Sequence, residues 1–155
     1  LRIGEKEWAK NFIERYNVYL APADRKNAMA YNMANWYFFD KRYNMVLKLI
    51  QEVEFTDLYY QLDSKSILLK TYYEQGDEEM FLFHVAAFKI FLKRNKVISE
   101  YQRTIFKNLV KYTLKLLRSA GRAAKVNALK SEVKNVKQVA DLRWLEEKIE
   151  EQTGG

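Results

Sequence analysis

Three short polar breaks recur along this chain at nearly constant intervals: Gly4-Glu5, Lys41-Arg42 and Gly76-Asp77, spaced by 37 and 35 residues. A fixed period of this size marks a supersecondary unit that cannot bury its apolar face alone and stacks on copies of itself. Between the breaks, apolar residues return every three or four positions, the period of an amphipathic helix, and no stretch alternates in the period-two manner of a strand. One proline and 5 glycines in 155 residues leave few places for a helix to break. The expected fold class is all-α, with about seven or eight helices.

The pattern also places the helices. Residues 5–20 put Trp8, Phe12, Ile13, Tyr16 and Leu20 at helical spacing, and Ala21-Pro22 ends the run. Asp24 can accept from first-turn amides of a second helix over 24–39, which carries Ala28, Tyr31, Ala34 and Phe38 inward. After Asp40-Lys41-Arg42, a third helix lined by Val46, Leu47, Ile50 and Val53 ends near Glu54. Thr56 and Asp57 suit the start of a fourth, 57–74, with Leu58, Leu62, Leu69 and Tyr72 on its apolar side. The fifth, 78–95, carries Phe81, Val85, Phe88 and Leu92. Ser99-Glu100-Tyr101-Gln102 has the form of a capping box opening a long sixth helix that Gly121 stops. Val126, Leu129 and Val133 define a seventh over 123–137, and Leu142, Leu145 and Ile149 an eighth over 140–152.

The second and third units agree in detail around their turns. Asn35-Trp36-Tyr37-Phe38-Phe39-Asp40-Lys41-Arg42-Tyr43 lies over Lys70-Thr71-Tyr72-Tyr73-Glu74-Gln75-Gly76-Asp77-Glu78, so Tyr37 and Tyr72 share one slot. The stretch Leu68-Leu69-Lys70-Thr71-Tyr72-Tyr73-Glu74-Gln75-Gly76-Asp77 resembles the end of helix A and the turn of a tetratricopeptide repeat, whose period is about 34 residues. On that resemblance Met33, Ala34 and Tyr37, then Leu68, Leu69 and Tyr72, take helix-A slots. Val46, Ile50 and Val53, then Phe81, Val85 and Phe88, take helix-B slots, where bulky residues in place of Ala make the repeats degenerate. Ala9 and Ile13 fall in helix-B slots with no helix A before them. Gly121 offers a further turn, followed by Val126, Lys130 and Val133.

The resemblance implies an α-solenoid of antiparallel helix pairs, a single domain over 1–152 with turns near 4–5, 41–42, 76–77 and 121–122, and a flexible tail at 153–155. The chain does not open with Met, and it resembles the C-terminal part of a larger, uncharacterised bacterial repeat protein. What such a family implies is a surface for a protein or peptide partner, and no chemistry.

The residues themselves give little to build chemistry with. There is no Cys and a single His, His84, so thiolate chemistry, disulfides and a multi-histidine zinc site are excluded, and no nucleophile elbow or Gly-rich phosphate loop is present. Asp77-Glu78-Glu79 sits where negative charge favours a helix start, and Glu146-Glu147 with Glu150-Glu151 makes a solvated face. Catalytic, cofactor and metal sites are accordingly expected to be none, and the chain is read as a non-enzymatic scaffold. Tyr31, Tyr59 and Trp144 are the aromatics least tied to core positions, and any exposed one is a partner-binding anchor. No apolar run reaches the length of a membrane span, and the absence of Cys and of a signal-like N-terminus points to a cytoplasmic setting.

Charge is distributed in a way that the repeat does not explain. Residues 1–88 hold 11 Lys/Arg against 13 Asp/Glu, residues 89–137 hold 14 against 2, and residues 138–155 hold 2 against 5. Within the middle segment Arg103, Lys107, Lys111, Lys115, Arg118 and Arg122 recur along one helical face, opposite the apolar row Ile105, Leu109, Tyr112 and Leu116. This basic stripe is the candidate partner surface. It suits an acidic protein segment, with a nucleic acid bound through residues 89–137 as the alternative.

Overall fold

The structure, a computed structural model, describes residues 3–154, and among them it is wholly helical with no strand. The eight helices are α1 (Ile3–Tyr16), α2 (Pro22–Phe39), α3 (Tyr43–Gln51), α4 (Leu58–Gln75), α5 (Glu78–Arg94), α6 (Glu100–Ser119), α7 (Ala123–Val136) and α8 (Leu142–Thr153). Leu1, Arg2 and Gly155 lie outside the described residues.

Helix ends follow from local chemistry. Asp57 closes the start of α4 by accepting from the amides of Tyr59 and Tyr60. Ser99 and Gln102 form a reciprocal capping box at α6, each backbone amide meeting the other's side chain at 3.1 Å. The ends of α1 and α3 and the start of α2 differ from the sequence expectation, α3 stopping at Gln51 short of Val53 and Glu54. Pro22 is the first residue of α2 and not the stop of α1, because its missing N–H is no loss at a position whose amide has no intrahelical partner. The chain turns earlier, through a 3-10 segment at Asn17–Tyr19, where Arg25 donates to the carbonyls of Val18 and Leu20.

The α2–α3 and α4–α5 turns are the same object. Lys41 (φ 59°) and Gly76 (φ 67°) both take the left-handed conformation, and their amides bond to the carbonyls of Phe38 and Tyr73 three residues back. The next amides, of Arg42 and Asp77, reach the carbonyls of Tyr37 and Tyr72, completing a Schellman-type close in each case. The residue after the turn also meets that tyrosine. The Arg42 guanidinium lies 4.9 Å over the Tyr37 ring, while burial, and then the Asp77 carboxylate, push the Tyr72 hydroxyl up. Gly121 is left-handed as well (φ 73°), but there the Arg122 amide bonds only to Ser119, so the α6–α7 connection is a different turn. Gly4-Glu5 falls within the first turn of α1 and not in a connection.

The chain divides into two compact units, residues 1–78 and 79–155. In the first, α2 packs on α1, α3 and α4, and α3 packs on α4. Its core includes Ala28, Ala34, Phe38, Val46, Ile50, Leu62, Leu69 and Tyr72 of the expected apolar rows, with Ile67 added, while Tyr31, Leu47, Val53 and Leu58 are half-buried. In the second, α6, α7 and α8 pack mutually around Leu109, Tyr112, Leu116, Val126, Leu129, Val133, Leu145 and Ile149. Phe88 of α5 meets Phe106 of α6 at a ring separation of 6.1 Å. The α7–α8 connection is pinned to α6, where the Ala140 amide bonds to the Ile105 carbonyl and Asn108 donates to the Gln138 carbonyl.

Candidate partner-binding surfaces

The six stripe residues lie along α6 and the turn after it, as their spacing demands, but they do not act as one face. Arg103 is turned inward. Its guanidinium donates to the carbonyls of Asn95 and Ile98 and touches Glu100, so it clamps the connection from α5 to α6. Lys111 and Lys115 converge on Glu132 of α7 at 3.6 and 2.7 Å, and both ammonium groups lie over the Tyr112 ring. The hydrogen bond from Lys115 is the largest influence holding the Glu132 carboxyl below the usual glutamate range. Lys107, Arg118 and Arg122 are exposed and have no ion-pair partner among the described residues.

The surface that results carries free positive charge at Lys107 and again at Arg118 and Arg122, and is partly neutralised between them. From Lys107 to Arg118 the helix rises roughly 16 Å, with Lys125 continuing the free charge into α7. Further along α7, Lys130 is taken up by Glu150 of α8 at 2.6 Å, and that hydrogen bond lowers the Glu150 carboxyl. Glu150 of the last helix therefore folds back on the basic segment before it, which a count along the sequence does not reveal, while Glu147 and Glu151 pair with Arg143 and Lys148 within α8.

A second surface was not expected. Trp8, Phe12 and Tyr16 stand at the helical spacing of an apolar face, yet they are 65%, 44% and 53% exposed, and Tyr19 is 80% exposed. Their rings stack in series along the helix, with centroids 5.2, 4.3 and 5.5 Å apart. The reason is the way in which α1 docks. Trp36 of α2 is buried and donates its indole N–H to the Lys6 carbonyl at 2.7 Å, Lys6 pairs with Asp40 at 3.2 Å, and Lys10 lies over the Trp36 ring. These contacts turn Lys6, Ala9, Lys10 and Ile13 toward α2 and leave the aromatic row on the other side. The helix-B slots given to Ala9 and Ile13 were the signal for this orientation.

The chain matches no protein-family model, no curated protein and no solved structure.

The remaining candidates resolve simply. His84 is buried in α5 with its ring 5.9 Å from Phe88. Trp144 is buried, Tyr31 donates to Asp63 at 3.1 Å, and Tyr59 is exposed at the start of α4. Among the described residues no three His, Asp or Glu side chains are placed to hold a metal ion, and no helix is long and apolar enough to cross a membrane. One open trough of about 680 Å³ lies between α7 and α8, lined by Val133, Ile149 and the Lys130–Glu150 pair, and another of about 710 Å³ is lined by Pro22, Met29, Leu49 and Val53.

Proposed function

We propose that this chain is a non-catalytic scaffold of tetratricopeptide-like helix pairs that docks an acidic segment of a protein partner on the basic face of α6 and α7. The observation that carries this reading is the set of cations without counter-ions, Lys107, Arg118 and Arg122, in a segment with 14 basic and 2 acidic residues. Unpaired surface cations of one sign raise the local concentration of an anionic partner and speed its approach. The solenoid reading draws support from the shared turns at Lys41 and Gly76 and from the packing of α2 on both α3 and α4, the neighbour and next-neighbour pattern of stacked helix pairs.

The test is binding of a glutamate-rich peptide and, separately, of single- and double-stranded oligonucleotides, each against salt. Peptide binding lost in the triple charge reversal of Lys107, Arg118 and Arg122 supports the reading. Binding of the oligonucleotide alone transfers it to a nucleic acid, and binding of neither removes it. Lys111 and Lys115 are left intact because reversing them would also break the contact with Glu132.

A further inference from the structure

We propose that the exposed face of α5 pairs with the same face of a second copy of this chain, the two helices running antiparallel about a two-fold axis at Ala86 and Ala87. Helix α5 spends Phe81, Val85, Phe88 and Leu92 on the core. Its other side presents Glu79, Phe83, Ala86, Ala87, Ile90 and Arg94, all exposed, with Phe83 at 70% and Ile90 at 51%. Their spacing along the helix holds these six on one face. An apolar row this exposed, rimmed by charge at each end, has the form of a contact surface.

The order of residues along the row chooses the occupant and the direction. It runs acid, large apolar, small, small, large apolar, base, so it is complementary to its own reverse. Turned antiparallel on itself, it sets Phe83 of one copy against Ile90 of the other. Ala86 then meets Ala87, and such short side chains let two helices approach to the near end of the usual range of about 8–10 Å. The same operation brings the Glu79 carboxylate to the Arg94 guanidinium twice over. Neither group is in an ion pair among the described residues, and their neighbours Glu78 and Lys93 reinforce the sign of each end. A parallel pairing sets like charges together, and a uniformly acidic or basic partner helix is repelled at one end. A two-fold interface demands this self-complementarity, in which one patch serves both sides. Antiparallel pairing also opposes the two helix dipoles. One helix on one helix buries less than the roughly 1,200 Å² at which standard interfaces begin, so the pair is weak and dissociates on dilution.

The experiment is sedimentation equilibrium of the 155-residue chain from micromolar to millimolar concentrations. The mass is expected to rise from the 18.5 kDa of one copy toward twice that value. Ala86→Lys/Ala87→Lys gathers positive charge about the axis while keeping good helix formers on an exposed face. It should weaken the dimer at least tenfold with unchanged helicity by circular dichroism. Charge swaps supply an independent readout. Glu79→Arg and Arg94→Glu should each weaken the dimer, and the doubly swapped chain should recover most of the loss even though both changes oppose the helix dipole. A monomer throughout overturns the proposal. So does a dimer that the lysine variant leaves as tight as before, or a double swap no better than its singles.

Discussion

Lys41 and Gly76 hold the same left-handed backbone at equivalent points of successive helix turns, and the amide that follows each bonds to the carbonyl of an equivalent tyrosine, Tyr37 or Tyr72. Only one of the two is the residue that such a backbone prefers. A residue with a Cβ costs roughly 1–2 kcal/mol there, against a smaller entropic cost for glycine. Lys41→Gly should therefore stabilise the fold by about 0.5–1 kcal/mol. Gly76→Ala should destabilise it by about 1 kcal/mol on conformational grounds alone, since an added Cβ meets nothing within 4 Å. Urea midpoints of the two variants decide the matter, and effects of the same sign would contradict the shared turn.

Much of the fold was legible because helix chemistry is local. The Ser99–Gln102 box, the Asp57 cap, the left-handed Gly76 and the apolar row of α6 are each written in a few neighbouring residues. What was not legible depends on which element arrives from elsewhere. Trp8, Phe12 and Tyr16 look like core at helical spacing, and only the indole of Trp36 reaching the Lys6 carbonyl makes the other side of α1 the buried one. Likewise the basic stripe was visible as a row, but its interruption by Glu132 of α7 and the inward turn of Arg103 are tertiary facts.

Trp36→Phe keeps a ring in place and removes the donor to Lys6. The loss should be about 1 kcal/mol, the usual net worth of such a bond, and it should fall on α1. Hydrogen exchange is expected to quicken across the amides of α1 while those of α4 keep their protection. Uniform loss of protection would mean that Trp36 matters only as core volume.

Glu132 makes stability depend on pH in a definite direction. Its carboxyl is held low in the fold, chiefly by the Lys115 hydrogen bond, so its contribution is complete above the ordinary glutamate range and is lost as pH falls through the lowered folded value. The pair is partly exposed and screened, so the contribution is less than about 1 kcal/mol. Glu132→Gln should lower stability by that amount near neutrality, flatten the acid limb of the stability curve, and lose its effect in high salt. An acid limb as steep as that of the parent chain would show that other carboxylates control it.

Docking on this chain requires that the free cations of α6 receive an acidic polypeptide. The direct measurement is titration calorimetry of a glutamate-rich peptide at low salt, comparing the parent chain with the charge reversal Lys107→Glu/Arg118→Glu/Arg122→Glu. With about 0.5–1 kcal/mol lost for each exposed contact, the reversal should weaken binding at least tenfold and reduce its salt dependence while the thermal midpoint stays near that of the parent. Equal affinity in the two chains, or no binding by either, would contradict the account.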